Sequence, residues 1–407
     1  MTLKSAAALV GALLIGASAA HAETLVIAGR DGGYADALAL AVESYKAANP
    51  GLEVERLALG GGPLREKVTI AMREKAGAYD VVMLDDIWAV EFMSNGWLSE
   101  LDALDEDFVA PARAVARYPV GEGPFYAKPF VGNVELFAYN TALFDKHGLN
   151  RPESWTDVVN AAKTIDEAED GVSGVVFRGK KANPIVTGFL PILWAHGGRV
   201  VTDDGAAGLD SEAALDALNL YLDLAQYAPK GVETYNSGEV RDALMQGTTA
   251  MAIELWPSWA PDLDDPEKSK VVGQIEIMAA PGQVQGPAPM LGTWLVAVPA
   301  DAPNPERGKD FIAFLTSPEV QKVLALEVGT PPTRASVYRD AEVVDAYRWY
   351  PAQVAALNNA QPRARITQWA EVETILGDFL QLALIGEMEP KAALEGANQR
   401  IARALAR

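Results

Sequence analysis

Apolar residues along this chain gather in short continuous runs and in stripes of helical period, and the changes from one to the other mark out its elements. Leu25 to Ala28 is a short apolar run followed by Gly29-Arg30-Asp31-Gly32-Gly33. Tyr34, Leu38, Val42 and Tyr45 then recur at helical spacing until Asn49-Pro50-Gly51 stops the helix. Leu52 to Leu59 reads as a second strand. Gly60-Gly61-Gly62-Pro63 ends it and opens a helix with Leu64, Val68 and Met72 on one face. Val81-Val82-Met83-Leu84 is an uninterrupted apolar strand, the pattern expected when both faces of a sheet are covered. Strand, helix, strand, helix, strand in that order predicts a parallel sheet.

The same pattern recurs after a crossing near Pro129 to Glu135. Ser154 with Asp157 forms a capping-box pattern, Gly174-Val175-Val176-Phe177 reads as a buried strand, and Ala214 to Leu224 as a helix. Ile275 to Met278 leads into the Pro/Gly-rich linker Pro281 to Pro289, a second crossing, which ends at a strand over Thr293 to Val298. Helices follow over Pro305 to Leu315 and from Ser317-Pro318, and Gly329-Thr330-Pro331-Pro332 is a rigid extended break that suits a third crossing. The C-terminus carries two helical stripes, Val372-Ile375-Leu376-Phe379-Leu380 and Leu394-Ala397-Ile401-Leu405. The resulting expectation is an α/β protein of two Rossmann-like lobes with mainly parallel sheets, joined by a three-crossing hinge. Residues 23–131 plus 291–331 form lobe 1, and residues 132–290 plus 332–407 form lobe 2 with the C-terminal helices. Such a layout leaves a cleft between lobes that can close about the hinge.

The first 22 residues change the picture most. Lys4, the apolar stretch Ala6 to Gly16 and the small-x-small ending Ala20-His21-Ala22 read as a signal peptide cleaved after Ala22, and so as a periplasmic protein. The chain has no cysteine, which removes the lipidated residue of a lipoprotein and predicts no direct membrane anchor. The remaining 385 of 407 residues suffice for two ordinary domains. A net charge of −21, with no basic cluster, argues against nucleic acid as a partner. Only His147 and His196 lie beyond the signal segment, a scarcity that predicts no His-ligated metal site and no Ser-His or Cys-His nucleophile.

In an open parallel sheet, ligands sit beyond the carboxyl ends of the strands. Arg30 to Tyr34, Gly60 to Gly62 and Asp85-Asp86-Ile87-Trp88 occupy that place here. Asp85 and Asp86 read as acceptors for ligand hydroxyls or as helix caps, and adjacent residues at a strand end make a poor glycosidase pair. Trp88, Trp194, Trp256, Trp259 and Trp294 all fall at element ends or in loops, where a flat face could stack on a sugar ring or pack in the core. Trp97 and Trp155 read as core. Arg30 and Arg334 flank Gly- or Pro-rich loops and could clamp a ligand or form salt bridges. Gly60 to Gly62 lacks both nucleotide-binding spacings, and no hydrolase, zinc or calcium motif is present. No cofactor is expected.

In order along the chain, Tyr79-Asp80-Val81-Val82 to Asn95-Gly96-Trp97-Leu98, Phe137 to Phe144, Gly247 to Met251, Phe311 to Glu319 and Gly329 to Arg334 resemble the extracellular solute-binding proteins of carbohydrate ABC importers, the maltodextrin-binding-like group. The resemblance spans essentially the whole chain beyond the signal segment. It implies periplasmic-binding-protein type II architecture, a monomer that closes on a small carbohydrate or polyol, and an inner-membrane permease with a cytoplasmic ATPase as partner. It further implies ligand contacts from Gly33, Tyr34, Asp85, Asp86, Trp88, Asn133, Glu135, Trp256, Gly292, Thr293, Trp294 and Arg334. A receptor for another solute, such as a polyamine, iron or an organic anion, and a secreted glycosidase or lyase using paired carboxylates are the competing readings. Aromatic loops favour sugar, and Tyr347 and Tyr350, separated by Arg348-Trp349, speak against iron.

Overall fold

The apolar runs at the start of the chain pair as their spacing predicts. In this computed structural model, which describes residues 24–407, β1 (Thr24–Arg30), β2 (Glu53–Leu59) and β3 (Val81–Asp85) are parallel, connected through α1 (Gly33–Ala48) and α2 (Gly61–Glu74). The expected signal segment lies outside the described residues. Val81 to Leu84 are wholly buried, as an unbroken apolar strand covered on both faces must be.

The remaining strands are β4 (Lys128–Val131), β5 (Leu136–Asn140), β6 (Met251–Leu255), β7 (Ile275–Ala279) and β8 (Trp294–Ala297). They complete one five-stranded sheet of order β2-β1-β3-β8-β4 and make a second of order β6-β5-β7, giving the two-lobed α/β fold. The expectation of mainly parallel pairing needs correction beyond the first three strands. β8 is antiparallel to β3 and β4, and β5 is antiparallel to β6 and β7. The hinge is the reason: β5 and β8 start there, whereas β3, β4, β6 and β7 end facing it, as the partnerships Asp85–Trp294 and Leu136–Leu255 show. Gly174 to Phe177 is buried beside β6 through isolated parallel bridges at Ser173–Thr249 and Val176–Ala252, and does not extend into a full ladder.

Two crossing segments pair across the hinge. Val134 bridges Leu291, the Gly292 amide donates to the Asn133 carbonyl at 3.0 Å, and the Glu135 amide donates to the Met290 carbonyl at 2.9 Å. The linker Pro281 to Pro289, expected to cross, instead stays with the helices that cover the second sheet: Gly282 accepts from the Trp155 amide at 3.0 Å and the Gln285 amide donates to the Ala195 carbonyl at 2.7 Å. At Gly329 to Pro332 the chain meets the other crossing, with the Gly132 amide donating to the Pro331 carbonyl at 2.9 Å. It does not then pass to the second lobe at residue 332. The Ala335 amide donates to the Asp107 carbonyl and the Ser336 amide to the Asp107 carboxylate, both at 2.7 Å, so this stretch is held by the first lobe.

The C-terminal helices Trp369–Leu384 and Pro390–Leu405 bury the stripes read from the sequence, with Val372, Leu376, Leu380, Leu394 and Ile401 in the second core. Ser154 and Asp157 form the expected reciprocal cap of the helix Trp155–Ala168, and Ser317 caps Pro318–Val328.

Gly132 is the tightest point of the hinge. A Cβ there would lie 2.0 Å from the Pro332 carbonyl oxygen, a backbone atom that cannot rotate aside. Gly132→Ala is expected to lower unfolding stability by about 1–3 kcal/mol, the usual cost of overpacking, read as a shift in the chemical denaturation midpoint. An unshifted midpoint would show that the crossings separate freely.

Candidate functional site

The carboxyl ends of β1, β2, β3 and β6 open onto one cavity of about 830 Å³ that takes its walls from both lobes. Each end turns directly into a helix or loop, so short polar segments converge with free amides. After β1 the chain enters a left-handed conformation at Gly32, φ 64°, and starts α1 with Gly33 and Tyr34 at the wall. After β3, Asp85 caps the helix α3 (Asp86–Ser94), accepting from the Ile87 amide at 3.4 Å, and still reaches the cavity. Its two sequence readings, cap and ligand-facing acid, are thus compatible.

Aromatic rings form one side. Tyr34 and Trp294 pack with ring centres 5.5 Å apart, and Trp88 meets Trp294 edge-on at 5.5 Å. The Asn133 side-chain amide donates to the Tyr34 hydroxyl at 2.7 Å, tying α1 to the hinge, and burial pushes that phenol's pKa up. Trp256 lies against the opposite crossing. A Cβ on Gly292 would come within 2.5 Å of its ring, so only glycine leaves room for the indole there.

Charged groups form the floor. Arg363, almost wholly buried, donates to Asp85 at 3.0 Å and to Asp86 at 2.5 Å, and stands 3.8 Å from Glu373. Asp85 is pushed upward in pKa by burial and drawn back by this guanidinium. Arg178 is held by Glu254 at 2.9 Å and by Thr187, with its guanidinium carbon 5.6 Å from the Trp256 ring centre.

Of the residues singled out from the sequence, Gly33, Tyr34, Asp85, Trp88, Asn133, Trp256, Gly292 and Trp294 line this cavity, as does Arg30. Asp86, Glu135, Trp194, Thr293 and Arg334 do not. Asp86 points beneath the floor to Arg363 and Arg365. Trp194 lies in the last turn of the helix Asn183–Ala195 and packs in the second core. Thr293 is buried behind the wall, and its carbonyl accepts from the Asp86 amide. Arg334 is drawn away by the first lobe: it donates to the Thr316 carbonyl at 2.8 Å and to Asp105 at 2.5 Å, with its guanidinium 3.6 Å from the Phe108 ring centre. Glu135 is wholly buried, and neither carboxyl oxygen has a hydrogen-bond partner among the described residues.

Sequence reasoning passed over Arg178, Asn183, Thr187, Arg363 and Glu373, all at the wall. Arg178 carries a usable signal, a charge placed directly after the buried run Gly174 to Phe177, the same pattern that drew attention to Asp85. Arg363 has none, since the aspartates it bonds lie about 280 positions earlier.

A family model for bacterial extracellular solute-binding proteins matches residues 30–322. A probable ABC transporter-binding protein of Deinococcus radiodurans is 28% identical over 81% of this chain and 80% of its own. Among solved structures, maltose-bound MalE3 of T. maritima superposes with a TM-score of 0.85 at 26% identity, covering 93% of this chain and 99% of its own. A solute-binding protein of Agrobacterium radiobacter in complex with ribitol superposes with a TM-score of 0.84 at 27% identity, covering 94% and 98%.

Burial first, and then the Glu254 carboxylate, hold the Glu135 carboxyl well above its ordinary pKa, against the pull of Arg178. A raised carboxyl pKa means that the folded chain keeps a proton which the unfolded chain releases near pH 4.3, so this group's stabilisation is complete below that pH and is lost as pH rises. Glu135→Gln, neutral throughout, is therefore expected to gain stability over the parent between pH 5 and pH 8, by at most about 1.4 kcal/mol per pH unit. Denaturation midpoints at the two pH values test this, and a constant gap would mean that Glu135 finds a partner in solution.

Proposed function

Because this chain belongs to the bacterial extracellular solute-binding proteins, we propose that it captures a sugar or polyol in the interlobe cavity and delivers it to an ABC importer. One observation carries the reading: a cavity bordered by both lobes, with Tyr34, Trp88, Trp256 and Trp294 beside the hydrogen-bonding groups of Asn133, Asp85 and Arg363. Aromatic rings give a ring or carbon chain apolar surface to lie on, while amides, guanidinium and carboxylates take its hydroxyls. The relatives bound to maltose and ribitol support both halves of that ligand class.

A ligand that touches both walls binds the closed arrangement better than the open one, and closure follows from that difference in affinity. The first lobe in this reading runs through Val131 and again from Trp294 past Asp340, which Lys322 holds at 2.9 Å, to Tyr347, whose hydroxyl donates to the Ala325 carbonyl at 2.7 Å. The partners are a membrane permease and its ATPase. The protein acts as a monomer, outside the inner membrane, after cleavage at Ala22. Catalysis by paired carboxylates is disfavoured by geometry, since Asp86 sits under the floor bound to the same arginine as Asp85.

A thermal-shift and tryptophan-fluorescence screen against mono- and disaccharides and polyols, with polyamines as controls, tests the assignment, since a ligand raises Tm by mass action. A shift from polyamines alone would remove the carbohydrate reading. Trp256→Ala is expected to weaken the identified ligand by about 1–3 kcal/mol with Tm of the free protein little changed, as calorimetry and melting would show. Undiminished affinity would return Trp256 to a packing role.

A further inference from the structure

The charge of the ligand can be read from what the cavity's own charges already hold. Six lysine and arginine side chains line it, and each carries a carboxylate of this chain. Arg30 pairs with Asp31, Arg65 with Glu91 at 2.7 Å, and Arg178 with Glu254 at 2.9 Å. Lys268 and Arg241 share Asp262, at 2.7 and 3.8 Å, and Arg363 holds Asp85. No cation at this wall waits for an anionic ligand.

The aromatic faces are provided for in the same way. The Arg30 guanidinium carbon lies 5.7 Å from the Trp294 ring centre and 6.0 Å from that of Tyr34, and Arg178 stands 5.6 Å from Trp256. Both are within the range at which an aromatic face attracts a cation. A cationic ligand would have to share these rings with positive charges already in place. Of the lining carboxylates, Asp36 alone has no cation partner among the described residues, and it is solvent-exposed in the first turn of α1, where helix amides favour it.

We propose that the ligand is an uncharged polyhydroxy compound and that this cavity rejects its anionic and cationic derivatives; the proposal rests on the receptor reading above. A hydroxyl both donates and accepts, so it can add to an arginine–carboxylate pair without displacing either member. A carboxylate or phosphate must compete with an internal carboxylate and then lies beside it, and an ammonium meets the arginines on the rings. Discrimination arises from these opposing contacts as much as from the favourable ones.

Calorimetry of the full chain against mannitol, sorbitol, ribitol and maltose, and then against the phosphate ester, aldonate and terminal amine of whichever skeleton binds, tests this. The neutral parent is expected to bind and each charged derivative to bind at least about 100-fold more weakly. A charged derivative that equals its parent, or binds in its place, overturns the proposal and leaves the receptor standing. If nothing in either set binds, the receptor reading falls and takes the proposal with it. A second arm uses Asp31→Asn, which frees Arg30 at a half-exposed position. The ratio of phosphate-ester affinity to neutral-parent affinity is expected to rise about tenfold, whatever the change in the parent's own affinity. A ratio that does not rise overturns the neutralisation argument.

Discussion

A guanidinium taken out of water must be surrounded by carboxylates or carbonyls, and Arg363 is where this chain meets that demand. Its side chain is 3% exposed, and its partners Asp85 and Asp86 stand at the end of β3 while Glu373 belongs to the helix that closes the second core. Arg365 adds bonds from the same segment to the Asp86 and Val115 carbonyls. The floor of the cavity, the cap of α3 and the return of the chain to the second lobe are therefore one electrostatic unit. Removing any acid from it leaves a buried charge short of a partner, which is why the floor behaves as a fixed surface against which ligand groups are measured.

Much of the fold was legible because it is local. The alternation of Val81 to Leu84 with flanking helices, the caps at Ser154 and Ser317, and the C-terminal stripes are set by neighbours within a few turns. Strand direction after the third strand was not legible, because whether a strand leaves the hinge or arrives at it depends on where the distant lobe sits. The site divides along the same line. Strand-end residues such as Tyr34 and Asp85 were visible in the pattern of apolar run followed by polar turn, whereas Arg363 and Glu373 join through partners far away in sequence. Arg334 stayed open between a ligand clamp and a salt bridge because a Pro-rich break looks like a hinge from the sequence, while Asp105 and Thr316 fasten it to the first lobe. Trp194 stayed open between stacking and core packing because its helix, Asn183–Ala195, is apolar all round and so shows no stripe.

The wall is self-neutralised, and where it is buried it is also rigid. Arg178, buried and held both by Glu254 and by the Trp256 face, has its rotamer settled before any ligand arrives. Little side-chain entropy is then left to lose on binding. Gly292 extends the same principle to an indole, since the missing Cβ fixes how close Trp256 can settle against the crossing.

The contact at Gly132 fixes where the first crossing is free to bend. Where main chain rests on main chain, with the Pro331 carbonyl accepting from the Gly132 amide and the Pro332 carbonyl just beyond, neither segment can slide along the other without breaking that bond. The first crossing is thereby pinned at Gly132 to a stretch that the first lobe keeps, so any bend that widens the cavity has to begin beyond residue 132, where Val134 pairs with Leu291.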